Sequence, residues 1–74
     1  MRIHLFGRLR DGPPVAPVPE TVTDLDTLRA WLAPTRPELV ADSVRIALND
    51  EMVFGNRSIS DEDEIAFLPP VSGG

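Results

Sequence analysis

Residues 23–32 read TDLDTLRAWL and carry the main helical pattern of this 74-residue chain. The apolar side chains of the stretch recur at i, i+3, i+6 and i+7, so that they share one stripe of an amphipathic helix: Leu25, Leu28, Trp31 and Leu32. Thr23 and Asp24 precede the stripe, and either side chain can accept hydrogen bonds from the free N–H groups of a first helical turn. Pro34 ends the pattern because proline has no N–H for a helical bond. The stretch predicts one short helix, buried on one side.

Short segments that alternate apolar and polar residues lie on both sides of this helix. They predict strands at residues 1–6 (MRIHLF), 18–22 (VPETV), 43–48 (SVRIAL), 52–54 (MVF) and 65–68 (IAFL). The first two strands are separated by a glycine- and proline-rich loop at residues 7–17. We therefore expect an α+β fold, in which one helix packs across a mixed sheet of four to five strands. The first and last strands are expected to pair in parallel at the centre of that sheet.

The composition excludes several classes of function. The chain has no cysteine, its seven basic residues are all arginine, and twelve acidic residues give a net charge of −5. Nucleic-acid binding is disfavoured because such a surface repels phosphate. Thiolate chemistry is excluded because there is no cysteine, and Schiff-base chemistry because there is no lysine. No apolar run reaches the ~18 residues of a membrane span and no secretory signal is recognised, so we expect a cytoplasmic protein without membrane or nucleic-acid partners.

The side chains offer few sites for chemistry. The single histidine, His4, lies on a predicted strand with no catalytic partner, and we interpret it as a sheet-face residue. The acidic run at residues 61–64 lacks the ligand pattern of a calcium loop and is interpreted as a solvated turn. Arg8 and Arg10 border the first loop and can bind a carboxylate or phosphate, although solubility and packing also explain them.

The last six residues, 69–74 (PPVSGG), are predicted to be an extended, flexible tail after a domain that spans residues 1–68. Gly73 and Gly74 lack a Cβ and can enter a passage that larger residues would block. The α-carboxylate of Gly74 is inert alone, but as a mixed anhydride with AMP it becomes an acyl electrophile. Sulfide or a persulfide can then convert it to a thiocarboxylate, which is a soft nucleophile.

Several segments resemble the small subunit of molybdopterin synthase, of the MoaD/ThiS ubiquitin-like family. The resemblance is carried by residues 3–10 (IHLFGRLR), 47–49 (ALN), 63–67 (DEIAF) and 67–74 (FLPPVSGG). It implies a ubiquitin-like β-grasp fold. It also implies that an E1-like enzyme adenylates Gly74 with its own ATP and Mg²⁺, so that the chain itself binds no cofactor.

The same resemblance implies a sulfur carrier in molybdenum cofactor biosynthesis. A sulfur donor such as a cysteine desulfurase would supply the sulfur, and the chain would donate it to cyclic pyranopterin monophosphate. The chain would act as a sulfur-donor subunit in a heterotetramer of two small and two large subunits, with the catalytic side chains on the large subunit. Gly74 and Gly73 would carry the chemistry. By position, Phe6, Leu68 and Val71 resemble the apolar interface residues of that family. The full set of predicted partner-binding residues also includes Arg10, Pro69, Pro70 and Ser72.

Other functions remain open at the level of sequence. The same tail chemistry would serve a sulfur carrier for thiamine synthesis or tRNA thiolation, although Pro-Pro-Val-Ser before Gly-Gly favours the molybdopterin branch. A ubiquitin-like modifier would instead join Gly74 to lysines of other proteins. A plain interaction module would leave the tail without a role.

Overall fold

The computed structural model describes residues 1–70. Four strands, one α-helix and two 3-10 helices follow one another along this part of the chain. In order, they are β1 (Arg2–Leu5), a first 3-10 helix (Gly7–Asp11), α1 (Leu25–Leu32), a second 3-10 helix (Pro37–Val40), β2 (Arg45–Leu48), β3 (Glu51–Val53) and β4 (Glu64–Leu68).

The four strands form one mixed sheet in the order β1-β4-β2-β3. β1 runs parallel to β4, with Ile3 opposite Ile65, as the sequence predicts. β2 lies antiparallel to both β4 and β3. β4 is an inner strand, but β1 lies at an edge of the described sheet, so the expected central place of β1 is wrong. The α+β class with one helix across a mixed sheet is confirmed, and it is consistent with a ubiquitin-like β-grasp.

The strand expected at residues 18–22 is absent, which leaves β1 at the edge. Residues 13–19 have no regular secondary structure and end in a turn, where the Val22 N–H donates to the Pro19 carbonyl at 3.1 Å. The four prolines of this segment cannot donate to a β ladder: Pro13, Pro14, Pro17 and Pro19. Val15 and Val18 still pack against the core, so the segment covers apolar surface without extending the sheet.

The loop predicted at residues 7–17 begins with a 3-10 helix rather than a turn alone. This short helix exists because Leu9 is buried in the core, and its N–H donates to the Phe6 carbonyl at 3.2 Å. Because the Leu9 side chain is buried, the chain turns back toward the core directly after Phe6. The expectation of an irregular hairpin loop is therefore corrected for Gly7–Asp11.

The helix forms where the sequence predicts it and packs against one face of the sheet. Asp24 caps α1 by accepting from the Thr27 N–H at 2.8 Å, while the Thr27 hydroxyl accepts from the Asp24 N–H at 3.1 Å. The three leucines of the stripe are fully buried against Ile65 and Phe67 of β4. Trp31, predicted in the same stripe, is only partly buried at the margin of this core.

A tight hairpin joins β2 to β3 and fixes where β4 begins. Asn49 and Asp50 have φ of 52° and 69°, as a two-residue turn of type I′ requires. The Asn49 side chain accepts from the Glu64 N–H at 2.9 Å and donates to Asp63 Oδ1 at 2.9 Å. The turn lies between the strands predicted at residues 43–48 and 52–54, and it also connects to the start of the last strand. No helix among residues 1–70 is long and apolar enough to cross a membrane.

Candidate functional site

The face of the sheet opposite the helix carries the residues from which a binding site can be built. Side chains of neighbouring strands that share a register position point to the same face. The registers of β1, β4, β2 and β3 therefore place four residues in one row across this open face: His4, Ala66, Ala47 and Met52. Alternation sends their neighbours Ile65 and Phe67 to the core. On this open face His4 and Met52 are exposed, Ala66 is partly buried, and Ala47 is buried between its neighbouring strands.

Phe6 and Leu68 lie in the next row, at the end of the sheet where β4 finishes. The Phe6 N–H donates to the Phe67 carbonyl at 3.1 Å, which continues the parallel pairing by one residue and sets Phe6 beside Leu68. The Phe6 side chain is 47% exposed, and Leu68 is partly buried. The structure thus brings together two of the predicted partner-binding residues as an apolar patch. A contiguous exposed apolar patch marks an interaction site more often than a single exposed apolar side chain does.

The chain leaves the sheet beside this patch. Pro69 and Pro70 follow β4 directly and are partly buried, and the Pro69 ring lies close to the backbone of Gly7. The predicted strand end at Leu68 is confirmed. The expected sites at Val71, Ser72, Gly73 and Gly74 lie outside the described residues.

Charged side chains of both signs lie at each end of this sheet: Arg2 pairs with Glu64 where β4 begins, and Asp11 ends the 3-10 helix that carries two arginines. At the end where β4 finishes, Arg45 stands opposite Leu68, and the exposed Arg8 and Arg10 belong to the first 3-10 helix, which contacts β4. The structure therefore places Arg10, a predicted partner-binding residue, near the exit of the chain. The opposite end carries exposed carboxylates: Asp50, Asp61 and Glu62 lie in the two turns beside the start of β4, and Glu51 begins β3.

The histidine and the acidic run have the local roles that the sequence suggests. His4 is exposed on the sheet, with its Nε2 4.0 Å from Glu64 Oε2. Asp63 accepts from the Asn49 side chain and from the Ser60 N–H at 2.8 Å, and these two hydrogen bonds hold the pKa of Asp63 below its ordinary value. Within residues 1–70 no group of acidic or histidine side chains is arranged to hold a metal ion.

Met52 and Phe54 extend the apolar surface and were missed by the sequence reasoning. Met52 is 42% exposed on the open face, and Phe54, just beyond β3, is 76% exposed. Their neighbour Val53 is buried. The alternation of residues 52–54 signals that both flanking apolar residues point away from the core. The face to which they point follows only from the register of β3 against β2.

A four-stranded mixed sheet, one helix across it and an open apolar face at the exit of the last strand define a small ubiquitin-like β-grasp domain. The sequence model of the ThiS family matches residues 3–74. The chain therefore belongs to the ThiS family of small sulfur-carrier proteins, the ThiS/MoaD type, whose members partner with E1-like enzymes and catalytic subunits.

Proposed function

We propose that this chain carries sulfur for molybdopterin synthesis as the small subunit of a molybdopterin synthase. The observation that carries the proposal is the placement of Phe6 and Leu68 beside the exit of β4, in a sulfur-carrier chain whose next residues read PPVSGG. An exposed apolar patch where the chain leaves β4 would let a partner bind the domain while residues 71–74 enter the active site of that partner. The sequence of residues 69–72 supports the molybdopterin branch through its resemblance to that family.

The chemistry resides at the Gly74 carboxylate and is powered by an E1-like partner. A carboxylate oxygen attacks the α-phosphorus of ATP, the bond to the β-phosphate oxygen breaks, and pyrophosphate leaves with Mg²⁺ held by the partner. Sulfide then attacks the acyl carbon, and AMP departs with the bonding electrons of the C–O bond. The product is a thiocarboxylate. A persulfide donor gives the same product once a thiol cleaves the resulting S–S bond.

The domain contributes docking and orientation to this chemistry. Phe6, Leu68 and Met52 present apolar surface that a partner can bury, and burial of such surface contributes about 25 cal/mol per Å². Arg10 lies at the tail end of the sheet and can donate to a carboxylate or phosphate of the partner. In the synthase, the catalytic side chains and the cyclic pyranopterin monophosphate site belong to the large subunit.

The intact mass of the chain, expressed with its native pathway, tests the carrier chemistry. A mass increase equal to the replacement of one oxygen by sulfur, located at Gly74, is expected. A chain from which Gly74 is deleted provides the control, and it should remain folded but gain no sulfur. A full-length chain that never acquires the sulfur in the presence of its activating enzyme would refute the proposal.

Reconstitution identifies the acceptor. The thiocarboxylated chain is mixed with a large synthase subunit and cyclic pyranopterin monophosphate, and formation of molybdopterin is measured. Sulfur transfer to a thiamine thiazole precursor or to tRNA, with no molybdopterin formed, would reassign the acceptor. Isopeptide adducts of Gly74 on protein lysines, without thiocarboxylate, would instead identify a protein modifier.

A pair of matched variants tests the docking face. Ala66 lies on β4 at the middle of the open face, and Ala30 is exposed on α1, on the other side of the molecule. Ala66→Arg places a long charged side chain in the docking surface, whereas Ala30→Arg makes the same chemical change away from it. We expect Ala66→Arg alone to weaken binding to the activating enzyme and the large subunit. Equal affinities of the two folded variants would rule out this face.

A further inference from the structure

Gly7 and Pro69 make an unusually close contact at the point where the chain leaves the sheet. Gly7 has φ of +57°, and a Cβ built on it would lie 2.8 Å from Pro69 Cγ. Contacts below 3.0 Å are essentially never made by a real Cβ. The Pro69 ring is fused to its own backbone and cannot rotate away as a long flexible side chain would. Only glycine at position 7 therefore allows the ring to lie where it does.

The segment under the Pro69 ring is itself firmly held. Gly7 opens the first 3-10 helix, and Leu9 of that helix is buried in the core. The carbonyl of Leu9 accepts from Arg36 Nη2 at 2.6 Å, and that of Pro13 accepts from Arg36 Nη1. Because the Arg36 side chain is 2% exposed, the hydrogen bond to Leu9 is shielded from water, while the one to Pro13 is partly buried. The backbone at Gly7 is thus tied to the core on the far side of the sheet.

We propose that Gly7 is a positioning residue: its bare backbone accommodates the Pro69 ring and sets the direction in which the chain leaves the sheet at Pro69 and Pro70. This inference rests on the proposed function, since a fixed exit matters where Gly74 must reach a reactive position in a partner. In this proposal the open face of the sheet binds the partner, and the contact between Gly7 and Pro69 sets the direction in which the chain leaves the sheet. Misplacement of reacting groups by about 1 Å can cost about 100-fold in rate.

The test compares Gly7→Ala with Gly55→Ala. Both glycines have positive φ, +57° and +78°, so alanine suffers similar backbone strain at either site, but a Cβ on Gly55 meets nothing within 4 Å. Adenylation is followed by ATP–pyrophosphate exchange with the activating enzyme, and binding is measured separately by titration. We expect Gly7→Ala to lower kcat about 10- to 100-fold relative to Gly55→Ala, with an unchanged dissociation constant.

The same substitution is then made in a Pro69→Ala background. Alanine at position 69 removes Cγ and Cδ and leaves only Cβ, which lies 3.9 Å from the position of a Cβ built on Gly7, so Gly7→Ala should cause no further loss of kcat there. An equal loss in both backgrounds, or equal kcat for Gly7→Ala and Gly55→Ala, would overturn the proposal. Pro69→Ala leaves Gly7 intact and keeps the test valid if Gly7→Ala does not fold.

A measurement on the free chain separates this inference from the proposed function. A nuclear Overhauser effect between the Gly7 Hα and Pro69 Hγ protons is expected in the wild-type chain and lost in Gly7→Ala. A wild-type chain that shows this contact but is never adenylated would refute the sulfur-carrier chemistry while leaving the contact between Gly7 and Pro69 in place. Absence of the contact in the wild-type chain would refute the positioning role of Gly7 itself.

Discussion

Replacement of Arg36 by methionine should remove a large part of the stability of this domain. Arg36 is a buried charged residue, and its guanidinium donates to the Leu9 and Pro13 carbonyls and to Glu38 Oε2 at 3.2 Å. Methionine has a similar apolar stem but no donor. The substitution therefore leaves two backbone carbonyls without a partner while it changes the packing little.

The expected loss follows from how deeply each carbonyl is buried. A buried polar group left unsatisfied costs about 1–3 kcal/mol. The hydrogen bond to Leu9 is buried and should be near the top of that range, whereas the one to Pro13 is partly buried, so that water can replace part of it. The ion pair adds little because the Glu38 side chain is 48% exposed. The free energy of unfolding should fall by about 3 kcal/mol.

Thermal unfolding followed by circular dichroism measures this loss. In a domain of this size 1 kcal/mol corresponds to about 4–8 °C in Tm, so Arg36→Met should lower Tm by about 12–24 °C. A domain of this length has about 3–5 kcal/mol in total, and the variant should be close to unfolded at ambient temperature. Arg57→Met, at an exposed position, is the control and should change stability by less than about 0.5 kcal/mol. If both variants unfold at the same temperature, the hydrogen bonds from Arg36 to Leu9 and Pro13 do not stabilise the domain and the predicted loss is wrong.

Three further predictions concern the helix cap, acid stability and docking. Asp24→Ala removes the cap of α1 and should cost about 1 kcal/mol, measured by urea unfolding; no change would mean that the Thr27 hydrogen bonds contribute nothing. The lowered pKa of Asp63 means that the unfolded state binds more protons, so its contribution is present above the ordinary value of 3.8 and is lost as pH falls below it. Asp63→Asn should therefore flatten the fall of Tm as the pH drops below about 4. A fall as steep as that of the wild-type chain would contradict this. Met52→Arg should weaken binding to the activating enzyme at least about fivefold, or ~1 kcal/mol, in calorimetric titration, whereas an unchanged affinity would restrict docking to the Phe6 end of the face.

The helix and the strands outside residues 18–22 were predictable because their signals are local. A capped amphipathic stripe and short alternating runs need no knowledge of the rest of the chain, and α1, β2 and β4 formed where those patterns lie. Residues 18–22 show that alternation alone is insufficient. A strand also needs free N–H donors that face a partner. Within residues 18–22, Pro19 has no N–H and the Val22 N–H donates back to the Pro19 carbonyl in a turn.

The site was partly predictable for a related reason. The resemblance indicated Phe6 and Leu68 together, and the parallel register of β1 and β4 places them side by side. Met52 was missed because a three-residue strand has too few residues to define its faces until it pairs with β2. Arg36 was missed because an arginine between Pro34 and Pro37 gives no sequence sign of burial; arginine is rarely buried unless its donors find distant partners.

Arg36 connects the segment that follows β1 to the core, although no second strand lies beside β1 within residues 1–70. In a sheet with a strand beside β1, ladder hydrogen bonds would hold the segment that follows the first loop. Here no strand forms at residues 18–22, and it is the first loop itself that is held, because the Arg36 guanidinium donates to the Leu9 and Pro13 carbonyls. Gly12 fits this arrangement, since a Cβ there would lie 2.6 Å from the guanidinium carbon. One side chain therefore holds this segment, in place of a row of hydrogen bonds along the edge of the sheet. The same segment begins at Gly7, which contacts Pro69. A substitution that removes the Arg36 hydrogen bonds should disturb the contact between Gly7 and Pro69 before it disturbs the open face of the sheet. Phe6 on that face is also held by its hydrogen bond to β4.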